Sequence, residues 1–583
     1  MNIALTTPTP WLLVVSLPLL LALLITLPRL RPVMCGLAAW AAAPALLLAV
    51  VATSEVVVET PLLLGMRLGL TSVTRVFLLF TATLWLLAGL YAQAYMARDS
   101  ALNRFWGFYL LTLCGNLGVL LARDLVSFYL FFTIMGFAAY GLVAHSRSPT
   151  ALRAARIYLI LVIMGEALLL PALLLTAIAT ASYDLELVPL AIAQAPNRNL
   201  IIGLVLAGFG VKAGALLLHM WLPLAHPAAP TPASAVLSGT MIKAGLLGWL
   251  LFLPLGAVAL PGWGTVCMLA GLGATFYGVI IGLTQPNPKT ILAYSSISQM
   301  GLMTVALAVA LMVPTERLLV LTAIMIYATH HALAKGALFL SVGMAAGASR
   351  AWQVWLVGVG TTLAALTMAG APLSSGAIAK VFLKDATYIA LPPWPGWLSL
   401  LLQLSALATT LLMGRFLLAV WSRTSSSTQR LPLGMWIAWL TLLALMLGWI
   451  VALPSGILEA VNRTLAFSTL WPLMGGTLIV TAVYYGQQLW QQRTGNALRL
   501  VIPEGDVLVL VIALLHTLRR GWQLIVEPRW KAGWHHMTRR WSAYREHMPG
   551  WIDLARMEHW LRSWTVGGTL FVVLVLVVLA LMH

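Results

Sequence analysis

Residues 199–243 read NLIIGLVLAGFGVKAGALLLHMWLPLAHPAAPTPASAVLSGTMIK. An apolar run long enough to enter a bilayer carries Lys212 at its heart. A proline-rich passage (Pro223, Pro227, Pro230, Pro232) then interrupts any regular helix, and a second apolar run resumes with Lys243 inside it. A charge at mid-bilayer costs at least ~2.5–3.5 kcal/mol on insertion scales, so each lysine needs a reason to be there. Unwound backbone at that depth is tolerated only where it lines a polar cavity. The stretch therefore predicts an all-α membrane protein with a broken helix and a buried cation beside the break.

The rest of the chain extends this reading. Of 583 residues, 61% are hydrophobic and only 9% charged, far below the ~25% charged share of a soluble domain. Hydropathy divides residues 11–486 into about fifteen spans, among them 199–222, 234–254, 318–346 and 353–390. Residues 11–28 have no basic segment before them and read as a first membrane helix rather than a cleaved signal. The net charge of +18 is laid out by topology. Alternate loops carry Arg98, Arg104, Arg147, Arg153, Lys289, Arg350 and Arg430 against the single acid Asp99, and the opposite loops hold Glu59, Asp124, Asp184, Glu186 and Glu316. By the positive-inside rule the N-terminus is periplasmic, in an inner membrane. The basic balance then addresses anionic lipid, with no nucleic-acid partner.

Cys35, Cys114 and Cys267 are far apart, and no CxxC pair or GxxxxGK loop occurs. We expect no cofactor in this chain and no metal site. The informative contrast lies between the two basic residue types. Arginine occurs 27 times, mostly in loops and tail; lysine occurs seven times, with Lys212, Lys243, Lys335 and Lys380 deep in apolar segments. Arginine stays protonated, whereas a buried lysine can release and regain a proton. Snorkelling to an interface suits Lys384, beside Asp385, better than these four.

Lys380 follows MAGAPLSSGAIA (368–379), where Pro372 and Gly376 should break a helix at membrane depth. Paired interruptions point to inverted repeats with mid-membrane ion sites, against the alternative of two unrelated proline kinks. In IYATHHALAKGALFL (326–340), Tyr327, His331 and Lys335 stack at i, i+4 and i+8 on one face, with His330 directed elsewhere. His219 falls two turns past Lys212 and would extend its face. Glu166 is the one acid well inside a span before residue 380 and needs a cationic partner, for which Lys212 on the next helix is the candidate.

The stretch 212–243, PKTILAYSSISQMG (288–301), THHALAKGALFL (329–340) and GAPLSSGAIAK (370–380) resemble the antiporter-like membrane subunits. These comprise the proton-channel subunits of respiratory complex I, the Mrp cation/proton antiporters and the membrane subunits of hydrogenase-4 and formate hydrogenlyase. The resemblance covers roughly residues 70–450. It implies two inverted five-helix repeats, with Lys212 and Lys380 as the broken-helix lysines and Lys243, His331 and Lys335 as links along a wetted line. Two positions depart from the family: Thr133 stands where a glutamate is usual, and Asn287 where an aspartate is usual.

Four segments follow: 1–104, N-terminal membrane helices; 105–422, the antiporter-like core; 423–500, additional membrane helices; and 501–583, a Trp-rich amphipathic segment around 530–548 and a last span at 566–582. The expected function is proton translocation within a multisubunit redox-driven complex, of NADH:quinone oxidoreductase or membrane-hydrogenase type. The expected partners are other membrane subunits and peripheral redox subunits. The alternatives are a Na⁺/H⁺ antiporter subunit of an Mrp-like assembly and a non-conducting accessory subunit, which Thr133 and Asn287 favour.

Overall fold

Backbone polar groups in hydrocarbon must be bonded within their own segment, so a chain of this composition becomes a bundle of helices. The computed structural model describes residues 7–52, 56–60, 65–421, 431–449 and 457–494, with a few positions beyond 501. The amphipathic segment at 530–548 and the span at 566–582 lie outside the described residues. Residues Met1–Val507 form one unit and Leu508–His583 a second. Among the described residues, twelve helices are long and apolar enough to cross a membrane, and Pro8–Leu24 and Leu433–Gly448 are shorter apolar helices. The chain is a multi-pass, all-α membrane protein.

Twelve helices build the core, and one further short helix, Val188–Gln194, lies in the connection between the third and fourth of them. The first six are α1 (Leu102–Leu121), α2 (Leu125–Val143), α3 (Pro149–Thr180), α4 (Arg198–Ala213), α5 (Leu222–Ala228) and α6 (Thr231–Phe252). The second six are α7 (Pro261–Leu283), α8 (Pro288–Met312), α9 (Arg317–Gly347), α10 (Ala351–Ala369), α11 (Ser375–Tyr388) and α12 (Trp394–Trp421). In each set the fourth and fifth helices are the halves of one broken crossing. Five crossings is an odd number, so the second set starts on the face opposite to the first. The repeat is inverted by parity.

Local chemistry fixes where the helices start. Asp124, Ser148, Asn287 and Ser374 each accept a backbone N–H from the first turn of α2, α3, α8 and α11. Asn287 thus performs the capping that a carboxylate would perform there. The breaks are set by Gly214 and Gly370, with φ of +71° and +92°, a left-handed region that favours glycine.

Gly376, which we expected to break the second crossing, lies inside the first turn of α11 instead. Its role is close approach: a Cβ there would sit 1.8 Å from the Thr367 carbonyl oxygen. The predicted span 199–222 is likewise shorter, because α4 stops at Ala213. His219 consequently lies in the unwound connection rather than on the helical face of Lys212.

On the face holding residues 57–69, a small antiparallel hairpin pairs β1 (Val57–Glu59) with β2 (Arg67–Gly69). The Arg67 guanidinium donates to Asp184 at 2.6 Å and lies 3.2 Å from Glu59, while Arg123 pairs with Glu186. The acids of this face are therefore largely neutralised by its own arginines. The charge asymmetry between the two faces comes from the surplus of bases on the other. On that other face Asp99 meets His145 at 3.1 Å.

Candidate functional site

The helix α8 runs through the middle of the bundle and is buried along its whole apolar window. Yet it presents Ser295, Ser296, Ser298 and Gln299 to the interior, which makes a polar axis inside an apolar protein. The buried amines gather around it. Lys335 on α9 donates to the Leu292 carbonyl of α8 at 2.7 Å. One face of α9 thus meets α8 twice, since Tyr327 donates to Gln299 Oε1 at 2.6 Å.

Lys243 reaches back to the Ser238 carbonyl at 2.8 Å. Ser238 belongs to a π-helical turn, Leu237–Met241, a distortion common at functional sites. Its hydroxyl bonds Ser296 at 2.7 Å. The one available signal for this π turn in the sequence was the run of small residues Ser238, Gly239 and Thr240 before Lys243.

Lys243, Lys335, His331 and His330 lie within electrostatic reach of one another. His331 is fully buried, and neither ring nitrogen has a hydrogen-bond partner among the described residues. His330, read from sequence as pointing elsewhere, also joins the group. Its Nδ1 lies 3.0 Å from Ser375 Oγ at the start of α11, and it is within reach of Lys380. The broken second crossing brings α11 against α9, a proximity that helical periodicity could not show. Lys380 Nζ donates to the Ala369 carbonyl, the last of α10. A broken helix end offers such unsatisfied carbonyls.

Lys212 sits apart. Its ammonium group lies 5.3 Å from the Phe132 ring centre and 5.8 Å from that of Tyr158, both cation–π distances. A Cβ built on Gly136 would fall 2.8 Å from Lys212 Nζ and 3.6 Å from Glu166 Oε1. Lysine and carboxylate therefore share one small site, without reaching the contact distance of an ion pair. Thr133 Oγ1 donates to Glu166 Oε2 at 2.9 Å, and the Tyr129 hydroxyl lies against the same carboxylate. The departure at Thr133 is thus filled by a hydroxyl that holds the acid of the next helix. Tyr129 was missed from sequence, although its position one turn before Thr133 was the available signal.

His219, also fully buried, packs its ring 5.2 Å from Tyr277 of α7. Lys289, counted among the loop bases, lies in the first turn of α8 and turns inward to donate to the Ala229 carbonyl at 2.8 Å. Lys384 does not pair with Asp385; Arg463 takes both carboxylate oxygens, because a guanidinium fork matches them better than a single ammonium. Among the described residues no group of three or more His, Cys, Asp or Glu is placed to hold a metal ion.

Comparison with known proteins gives a consistent result. Residues 122–383 match the family described as NADH:quinone oxidoreductase/Mrp antiporter, TM. Hydrogenase-4 component B of Escherichia coli (strain K12) is 27% identical over 288 residues, covering 48% of this chain and 43% of that protein. A probable K⁺/H⁺ antiporter component from Rhizobium meliloti (strain 1021) is 30% identical over 315 residues, 52% of this chain and 31% of that one. A Na⁺/H⁺ antiporter component from Staphylococcus aureus (strain JH9) is 29% identical over 322 residues, covering 52% and 40%. The chain spans less than half the length of these curated relatives.

In fold, it matches a chain of the Mrp complex from Dietzia sp. with TM-score 0.69, 23% identity and coverage of 98% of this chain and 62% of that one. It matches a chain of the archaeal membrane-bound sulfane sulfur reductase with TM-score 0.64, 21% identity and coverage of 81% and 99%. Residues 122–383, which hold the broken crossings and their lysines, are thus similar to the membrane domain described as NADH:quinone oxidoreductase/Mrp antiporter, TM.

Proposed function

We infer that this chain is a proton-translocating membrane subunit of a multisubunit redox-driven complex, of NADH:quinone oxidoreductase or membrane-hydrogenase type. It works beside other membrane subunits and peripheral redox subunits in an inner membrane, with its N-terminus periplasmic. One observation carries the reading. Lys243, Lys335 and Lys380 each donate to a single backbone carbonyl, and no lysine makes an ion pair among the described residues.

Each amine is held in place but not neutralised, so a proton arriving at one repels the proton on the next. Like charges within reach of one another in a medium of low dielectric interact strongly, as Lys243 and Lys335 do. The Glu166 carboxylate beside Lys212 supplies a countercharge, and its approach or withdrawal would gate the first half of the path. Amines and imidazoles suit H⁺ rather than Na⁺, which requires oxygen ligands. Hydrogenase-4 component B among the relatives supports the redox-driven setting. The relatives named for cation/H⁺ antiport support a second reading, exchange within an Mrp-like assembly.

The test is dye-reported proton movement in vesicles holding the assembled complex. Lys380→Arg and Lys212→Arg keep the positive charge but cannot release it. Both should lose coupled proton movement at least tenfold while the complex still assembles. Wild-type rates in both would overturn the reading. Proton movement driven by an added Na⁺ gradient, with no electron donor present, would favour the second one.

A further inference from the structure

His226 is a buried histidine that this translocation path has not used. It lies in the last turn of α5, the lower half of the first broken crossing. Its side chain is fully buried, and both ring nitrogens lack a hydrogen-bond partner among the described residues. A buried imidazole of the structural kind has at least one nitrogen satisfied.

The ring is held instead by packing, 4.9 Å from the Phe339 ring of α9. The backbone beneath it is pinned where Ser234 Oγ donates to the His226 carbonyl at 2.9 Å. Three amines from three different helices lie within electrostatic reach of it: Lys335 of α9, Lys289 of α8 and Lys243 of α6. No carboxylate from any of these elements faces it. Lys289 is only half-buried, and its ammonium is fixed on the Ala229 carbonyl, three residues beyond His226.

We propose that Lys289 and His226 form a loading branch, which passes protons from the membrane face bearing residues 285–289 to the central Lys243–Lys335 pair. The Lys289 ammonium breaks one N–H bond and delivers its proton to a ring nitrogen of neutral His226. The other ring nitrogen then gives up a proton to a neutral amine of Lys335 or Lys243. One positive charge has moved inward, and the imidazole is left in its second tautomer. Rotation within the unpartnered ring site, or a return transfer, resets it. Free ring nitrogens are what such a step requires. Lys289 is the only member of the branch with access to the surface.

This branch rests on the proton-translocating reading, and the test separates the two. In vesicles holding the assembled complex, proton uptake is driven by an imposed K⁺ diffusion potential and followed with a pH-sensitive dye. His226→Phe keeps the packing against Phe339 but cannot carry a proton, and it should slow uptake at least tenfold. Lys289→Gln should do the same.

His226→Ala opens a cavity of ring size, and added imidazole at millimolar concentration should restore much of its rate. A merely structural histidine would not respond in this way. Lys380→Arg is the control for the underlying reading. If Lys380→Arg blocks uptake while His226→Phe and Lys289→Gln run at the wild-type rate, the branch is wrong and the main path stands. Failure of imidazole to restore a folded His226→Ala variant would likewise overturn the relay role. Should Lys380→Arg itself be silent, the translocating reading fails first and takes the branch with it.

Discussion

A hydroxyl in place of an acid decides how the first half of the path is built. Thr133 donates to Glu166 at 2.9 Å, so the carboxylate has moved from one helix to its neighbour without leaving the neighbourhood of Lys212. Glu166→Gln keeps the shape and removes the charge. Breaking a buried charge pair of this kind costs ~3–5 kcal/mol where the remaining charge cannot be relieved. The expected outcome is a loss of proton pumping of at least tenfold in reconstituted vesicles. Adding Thr133→Glu in the same variant returns a carboxylate to the α2 side and should restore part of the rate. Thr133→Val removes only one hydrogen bond, ~0.5–1.5 kcal/mol, and should slow pumping by no more than about tenfold. Wild-type pumping by Glu166→Gln would exclude the pair as a gate.

The broken crossings are elements whose geometry follows from three separate devices. A left-handed glycine ends the upper half, at Gly214 or Gly370. Proline keeps the connection from re-forming a helix. In the second crossing the lower half then starts under a serine cap, Ser374, and packs tightly through Gly376. Gly376→Ala would place a methyl group 1.8 Å from a backbone oxygen, so α11 must shift away from α10. His330 and Ser375, which join α9 to α11 at 3.0 Å, would separate with it. We expect a detergent melting temperature lower by several degrees and proton movement reduced together with it. Gly107→Ala, where nothing lies within 4 Å of the new methyl, serves as the neutral comparison. Equal melting temperatures for the two variants would show that the close approach is dispensable.

At the scale of the molecule, the two faces differ in how their charges are used. The face with the hairpin ties its acids to Arg67 and Arg123. Burial acts to raise the Asp184 carboxyl, but the Glu186 amide and the Arg67 guanidinium together hold it below the ordinary carboxylate range. On the opposite face, none of Arg98, Arg104, Arg147 and Arg153 makes an ion pair among the described residues, and by the positive-inside rule such a basic face is expected inside. Labelling tests that orientation. The three native cysteines are buried, so an impermeant maleimide should see only introduced ones. In intact cells, Glu59→Cys should react and Ser146→Cys should not. Reaction at Ser146→Cys alone would reverse the orientation.

The sequence alone determined the class of fold, both crossings that break, the lysines beside them and the acid that lies near Lys212. Each of these rests on one-dimensional chemistry: a charge inside an apolar run, a proline or glycine inside a helix, a carboxylate with no local partner. Only the tertiary structure decided which groups meet. Lys289 looked like a loop base until α8 turned its ammonium toward Ala229, and His330 looked misdirected until α11 folded back against α9. His226 lay unremarked in a proline-rich motif until three helices brought an amine to it. Partners such as these are separated by many tens of residues and are joined by packing between helices. Helical periodicity reports the face of one helix; it carries no record of what the facing helix presents.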